Sequence, residues 1–179
     1  GSKIKHYAVF DGSMEVAPQI NLNWLYTDSR HRLWVVGRKG RIFRYDTARD
    51  RFVMTYKLSD LQDDVTSGTV NCTYMDSNDR IWLCHGDSIV RYDTRAGTTD
   101  RIDSPAPDDI TAITQTDSTN FFIGTSNGLL QTIEKEGVLE TVAGTYTDSI
   151  RIPVSELYFH EDSKQLFIGT FKEGIIAYG

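Results

Sequence analysis

The feature that most constrains this 179-residue chain is a hairpin phrase written four times. "DSRHRLWVVGRKGRIFRYD" at 28–46 returns as "DSNDRIWLCHGDSIVRYD" at 76–93. The same grammar underlies "TDSTNFFIGTSNGLLQTI" at 116–133 and "EDSKQLFIGTFKEGIIAYG" at 161–179. Each copy has an acidic turn, an apolar run anchored on Trp34, Trp82, Phe122 or Phe167, a short loop and a second apolar run. The anchors stand 48, 40 and 45 residues apart, the period of a repeat built from one supersecondary unit.

Upstream of each turn lies a further apolar stretch. Leu22, Trp24 and Tyr26 alternate in the first copy, Val70, Cys72 and Tyr74 in the second, Ile110, Ala112 and Thr114 in the third; "VSELYF" in the fourth is less regular. A fourth run follows three of the copies: "DRFVMTYKL", "TTDRID" and "GVLETVA". Period-2 patterning, β-branched and aromatic enrichment and Asp/Ser/Asn/Gly boundaries read as strands. "SDLQDDVTSG" at 59–68 could hold one helical turn at most. The chain is therefore expected to be all-β, a β-propeller of four repeats, each a four-stranded antiparallel blade. The expected blades span about 20–58, 69–103, 109–143 and 153–179. A single meander cannot bury both of its faces, so neighbouring blades must cover one another.

The last copy ends after its third strand, and "KIKHYAVF" at 3–10 is a leading strand without a blade of its own. Either that strand completes the last blade and closes a small four-bladed ring, or the chain is a segment of a larger ring. Gly1-Ser2 reads as a cloning scar, so the propeller domain is taken as 3–179.

Bulk properties exclude several roles. With 39% hydrophobic and 25% charged residues the chain is too apolar for a disordered one. No run approaches the roughly 18 apolar residues of a membrane span, and the opening carries no basic-then-apolar leader, so no membrane insertion is expected of this segment. The net charge of −6 and dispersed Lys and Arg give nucleic-acid binding no electrostatic support. Cys72 and Cys84 flank one turn. A register summing to 156 would set them opposite, where a disulfide is conceivable, but two small buried hydrophobes is the preferred reading.

The string hydrophobic-x-x-hydrophobic, D-S/G turn, L/I-W/F-I/V-G-T, G-L/I-hydrophobic-x-Y-D resembles the two-component-regulator propeller repeat. The opening "IKHYAVFDG" also resembles the first repeat of such sensors. Departures are Val36-Gly37 and Cys84-His85 in place of Gly-Thr, and "LLQT" in place of a Tyr-Asp ending in the third copy. The resemblance implies a periplasmic ligand-sensing ectodomain of a Bacteroidetes hybrid two-component histidine kinase that responds to carbohydrate-derived ligands. It implies as well that four repeats are about half of a seven-bladed ring, and that the remainder of the sensor, an oligosaccharide ligand and a homodimer partner are the expected associates.

No enzyme activity is expected of these residues, and no cofactor. His6, His31, His85 and His160 have no zinc-ligand spacing, and Asp28 and Asp76 suit Asx turns better than a calcium loop. Tyr45-Asp46 and Tyr92-Asp93 read as strand ends, and "GTSNG" lacks the helix a phosphate loop needs. Propellers bind ligands where the loops between second and third strands gather. Here those loops supply Arg38, Lys39, His85, Asp87, Ser126, Asn127, Lys172 and Glu173 as candidate binding residues, a palette suited to hydroxyl-rich ligands. Trp24 could stack on a sugar, though its apolar period-2 partners favour core packing. The alternatives are a protein-interaction scaffold and a metal-dependent propeller lyase that would draw on His85 and Glu173.

Overall fold

Alternating apolar positions punctuated by Asp-rich turns fold into strands along the described chain, antiparallel within every repeat. The computed structural model describes residues 4–16, 21–58, 69–86, 88–142 and 150–179. Two short strands lead, β1 (Val9–Asp11) and β2 (Met14–Val16). The first repeat forms β3 (Leu22–Thr27), β4 (Leu33–Gly37), β5 (Arg41–Asp46) and β6 (Arg51–Lys57). The second forms β7 (Cys72–Met75), β8 (Arg80–His85), β9 (Ser88–Asp93) and β10 (Thr99–Asp103). The third forms β11 (Ile110–Gln115), β12 (Asn120–Thr125), β13 (Gly128–Lys135) and β14 (Val138–Thr141). The fourth forms β15 (Val154–His160), β16 (Gln165–Thr170) and β17 (Ile175–Tyr178). Each repeat is its own propeller-like sheet with strands in chain order, and the possible helical turn at 59–68 lies outside the described residues.

The chain divides into two compact units, Gly1–Val70 and Asn71–Gly179. In the first, the leading segment does not complete the fourth sheet. β1 runs parallel to β6, Val9 opposite Phe52 and Phe10 opposite Val53, and β2 hairpins outside it. Aromatic packing selects this partner. The Tyr7 ring stands edge-on to both Tyr45 and Phe52 at 5.7 Å, and the Arg51 guanidinium covers Phe10 at 4.4 Å. Val9 is buried with Val35 and Phe43.

The turn entering each second strand explains why Asp opens the repeat. Asp28 Oδ1 accepts the amides of Arg30 and Arg32 at 3.0 and 2.9 Å, while Oδ2 accepts Arg32 Nε at 2.7 Å and Trp34 Nε1 at 2.8 Å. Asp76 repeats the set with Asn78, Arg80 and Trp82: amides at 2.9 Å, Arg80 Nε at 2.6 Å and the indole at 2.7 Å. One carboxylate thus closes the turn and satisfies a fully buried indole N–H. Burial alone would push the Asp28 carboxyl up; the Arg32 amide, the Trp34 indole and the Arg32 guanidinium outweigh it and hold it below the usual carboxylate range. In the third repeat Phe122 offers no indole N–H, and Asp117 stays exposed, bonded to Thr119 and Asn120.

Each of the second unit's sheets has two usable faces, and period 2 sends alternate residues to each. Cys72, Trp82, Cys84, Ile89 and Ile102 of the second sheet bury against Ile110, Ile113, Phe121, Ile123 and Leu139 of the third. Trp82 and Phe121 meet at 4.7 Å between ring centres. Ala112, Phe122 and Leu129 then bury against Val154, Leu157, Leu166 and Ile168 of the fourth sheet. At both contacts the anchor face of one sheet is covered by the alternate face of the next. Gly124 of the "FFIGT" phrase permits that approach, since a Cβ there would stand 2.5 Å from Val154 Cγ1. Cys72 and Cys84 are paired directly across β7 and β8 as free buried thiols, and burial first, then Cys72, pushes the Cys84 thiol up.

An ion cluster clasps the second sheet to the third. Arg80 holds both Glu134 oxygens at 2.9 and 2.7 Å, Arg91 bonds Glu134 and Asp100, and both guanidiniums lie over the Trp82 ring, at 5.7 and 5.3 Å. Burial opposes ionisation of Glu134, but Arg80 and Arg91 overcome it and hold the carboxyl below its ordinary 4.5.

Two outcomes follow for urea unfolding. Asp76→Ala leaves the buried Trp82 indole and Arg80 Nε without their acceptor, while Arg80 keeps Glu134, and is expected to cost about 2–4 kcal/mol; Asp117→Ala is expected to cost about 1 kcal/mol or less. Equal losses would contradict the role given to the indole bond. Because the Glu134 pKa is lowered on folding, its contribution is complete above 4.5 and disappears as pH falls through the native value. The stability of Glu134→Gln should therefore fall less steeply than that of wild type across that acid window, and parallel slopes would contradict the clasp.

Candidate functional site

The first strands carry a second repeated feature, a β-bulge near their start. The pairing slips by one residue between Leu22 and Trp24, between Ile110 and Ala112 and between Val154 and Glu156. In the second sheet the Asn71 amide donates to Cys84 O at 2.8 Å although Cys84 pairs with Cys72, the same two-against-one arrangement. The extra residues are Asn23, Asn71, Thr111 and Ser155, all small and polar. Bulges re-aim side chains at the rims of sheets and beside binding sites. Sequence reading missed these residues, although a polar residue at one repeat position in every copy was the available signal.

In the second unit the first strands adjoin one another, β11 lying against both β7 and β15. Their bulged ends share one end of the sheets with the hairpins between second and third strands and with the crossovers at 104–109 and 150–153. The 104–109 crossover is stapled to both sheets that it joins. The Ile110 amide donates to Gly86 O at 3.2 Å, the Ser126 amide to Asp109 O at 3.0 Å, and Asn127 Nδ2 to Asp108 Oδ1 at 2.5 Å. All three bonds act at the C-terminal end of the crossover, residues 108–110, to which Asn127 is bonded directly and His85 is joined through its chain neighbour Gly86.

The other predicted residues are placed differently. Lys172 and Glu173 sit exposed on the β16–β17 hairpin, where the Glu173 amide donates to Thr170 Oγ1 at 2.9 Å. Arg38 and Lys39 are exposed on the β4–β5 hairpin of the first unit, with the Arg38 backbone bonded to Asn21 and Val70. Asp87 lies outside the described residues. Trp24 is half-buried, and the aspartates of the two Tyr-Asp pairs cap their strand ends, Asp46 on Ala48 and Arg49, Asp93 on Arg95 and Ala96.

Beside the crossover is a cleft of about 360 Å³ lined by Ser88, Arg101 to Ser104, Pro105, Ala106 and Pro107. Arg101 Nη2 donates to Ser88 Oγ at 3.0 Å across its wall, and Ser104 Oγ closes the Pro-rich turn on Ala106 O at 2.6 Å. Hydroxyl, amide, imidazole, carboxylate and guanidinium groups therefore lie around one stapled loop. That set can hydrogen-bond a polyhydroxylated molecule; among the described residues no three His, Cys, Asp or Glu side chains converge as metal ligands would.

No family model and no curated protein matches the chain. Solved structures share its fold. The extracellular domain of a B. thetaiotaomicron protein described as a hybrid two component system, BT4673, is 15% identical with a TM-score of 0.68, covering 95% of this chain and 23% of that one. The corresponding domain of BT3049, from the same organism and described likewise, is 17% identical with a TM-score of 0.61, covering 87% and 20%. A catalytically inactive virginiamycin B lyase from Staphylococcus aureus, solved with quinupristin, is 13% identical with a TM-score of 0.64, covering 92% and 58%. The chain thus spans about a fifth of the length of the sensor structures. No helix among the described residues is long and apolar enough to cross a membrane.

Asn127 is exposed, so Asn127→Ala should change global stability by no more than about 0.5 kcal/mol. It should nonetheless raise hydrogen exchange at the Ser126 amide about tenfold by loosening the staple. Unchanged exchange would show that the Asn127–Asp108 bond does not hold the crossover.

Proposed function

We propose that this chain is a β-propeller segment of the periplasmic, ligand-sensing region of a hybrid two-component sensor, and that its ligand is carbohydrate-derived. The observation that supports this best is a fold likeness running along nearly the whole chain to extracellular domains described as parts of such systems, 95% of its length in one case. The repeat phrase, with its Asp turn, aromatic anchor and Gly-Thr, points the same way. In this reading the sensor's membrane and kinase parts belong to the remainder of the protein, and this segment performs no catalysis. Within the second unit the inner hairpins offer His85, Asn127, Lys172 and Glu173 to the ligand, and the bulge residues Asn71 and Ser155 add an amide and a hydroxyl; Arg38 and Lys39 stand on the corresponding hairpin of the first unit.

A lyase reading draws on the similar likeness to virginiamycin B lyase. The pair it would use, His85 and Glu173, stands on hairpins of the second and fourth sheets, with a whole sheet between them. The sensor reading accounts for the loop chemistry without asking those two to act together.

Calorimetric titration of the protein with a panel of host and plant oligosaccharides tests the proposal. Binding by at least one glycan, weakened about tenfold or more in His85→Ala or Asn127→Ala, is expected. Silence across the panel would remove the carbohydrate assignment.

A further inference from the structure

The chain contains only two cysteines, and the fold sets them directly opposite one another on neighbouring strands. Cys72 pairs with Cys84 between β7 and β8, so both side chains leave the same face of the sheet. Both are buried, at 7% and 0% exposure, in the cluster that also holds Trp82 and Ile89. The Asp76 amide donates to Arg80 O at 3.0 Å, so alternate pairs from that turn, Tyr74 with Trp82 and Cys72 with Cys84, are hydrogen-bonded ones. Such pairs hold their Cα atoms about 5.5 Å apart. A disulfide accepts roughly 4.4–6.8 Å. After burial, a hydrogen bond from Cys72 is what holds the Cys84 thiol up, so the two sulfurs already face each other. Packing alone does not call for sulfur here. Ala112 and Gly124 fill the same pair of positions in the third sheet.

We infer that Cys72 and Cys84 are the two halves of a reversible cross-strand disulfide that locks the bulged start of the second sheet. The oxidant is a second disulfide, that of a small thiol or of a thiol oxidoreductase. Cys72, the more exposed of the pair, attacks it as a thiolate, forming a mixed disulfide and releasing one thiol. The Cys84 thiolate then attacks the Cys72 sulfur and releases the second thiol. Two S–H bonds of the chain and the S–S bond of the oxidant are lost, and one S–S bond forms in the chain. Both protons and both electrons leave on the two released thiols. The new bond stands beside the candidate site. The Asn71 amide of the bulge donates to Cys84 O at 2.8 Å, and two residues beyond Cys84 the Gly86 carbonyl accepts the Ile110 amide at 3.2 Å. Oxidation therefore ties the bulge and the hairpin carrying His85 into one covalent ring. The inference rests on register and burial and is independent of the sensor reading.

Thiol trapping and mass measurement on the intact chain are the test. The protein is refolded from urea in a mixture of reduced and oxidised glutathione, which reaches both sulfurs before they are buried. The expected product is a monomer that takes up no N-ethylmaleimide, weighs two hydrogens less than the reduced chain and regains both thiols in dithiothreitol. The same mixture kept in urea should give a ratio of disulfide to dithiol about tenfold or more lower, because only the fold holds the sulfurs together. Two free thiols after refolding, glutathione left on either cysteine, a bond between two chains, or equal ratios with and without urea would each overturn the disulfide. Hydrogen exchange at the Asn71 amide should be about tenfold slower in the oxidised chain than in the reduced one. Equal rates would overturn the lock. Failure of glycan titration would leave these outcomes untouched.

Discussion

A narrow antiparallel sheet with apolar residues on both sides has no stable existence alone, and that constraint organises this protein. Four strands can satisfy their inner backbone groups, but each pleated surface still needs a cover. In the second unit the solution is directional. The face carrying the aromatic anchor is given to the alternate face of the next repeat, so Trp82 meets Phe121 and Phe122 meets the Val154–Leu157 layer. Close approach at Gly124 and the Arg80–Glu134–Arg91 clasp both act at these contacts. The same directionality leaves the inner hairpins of the second unit's repeats at one end.

The Asp turn connects this packing to local sequence. A buried indole N–H without a partner costs about 1–3 kcal/mol, so placing Trp at the anchor requires an acceptor that arrives with it. Asp six residues earlier supplies one from the turn that starts the strand, and the intervening Arg neutralises it. Where the anchor is Phe, as at Phe122, the demand vanishes and Asp117 relaxes to the surface. The repeat phrase is therefore a record of one buried hydrogen bond, kept where the indole is present.

Much of this was legible beforehand. Period-2 runs and Asp turns located the strands of all four repeats, and the pairing of Cys72 with Cys84 is the one a register summing to 156 would give. The irregular "VSELYF" has a physical cause: the bulge inserts Ser155, so the buried residues Val154 and Leu157 are three apart instead of two. A one-residue slip of this kind does not announce itself in a single copy. The parallel docking of β1 on β6 was equally hidden, because it depends on Tyr7 finding Tyr45 and Phe52 through space. The clasp joins residues 54 and 43 positions apart, beyond any local pattern. At the candidate site the hairpins were found from the repeat, while the Asn127–Asp108 staple and the bulge residues needed the fold.

The claim on which the rest stands is that successive repeats cover one another face to face. A double-mutant cycle on Trp82 and Phe121, with Leu at each position and urea unfolding as readout, measures that contact directly. Face-to-face packing predicts a coupling of about 1 kcal/mol between the two rings. Additive losses, with no coupling beyond error, would mean that the second and third sheets do not share this core.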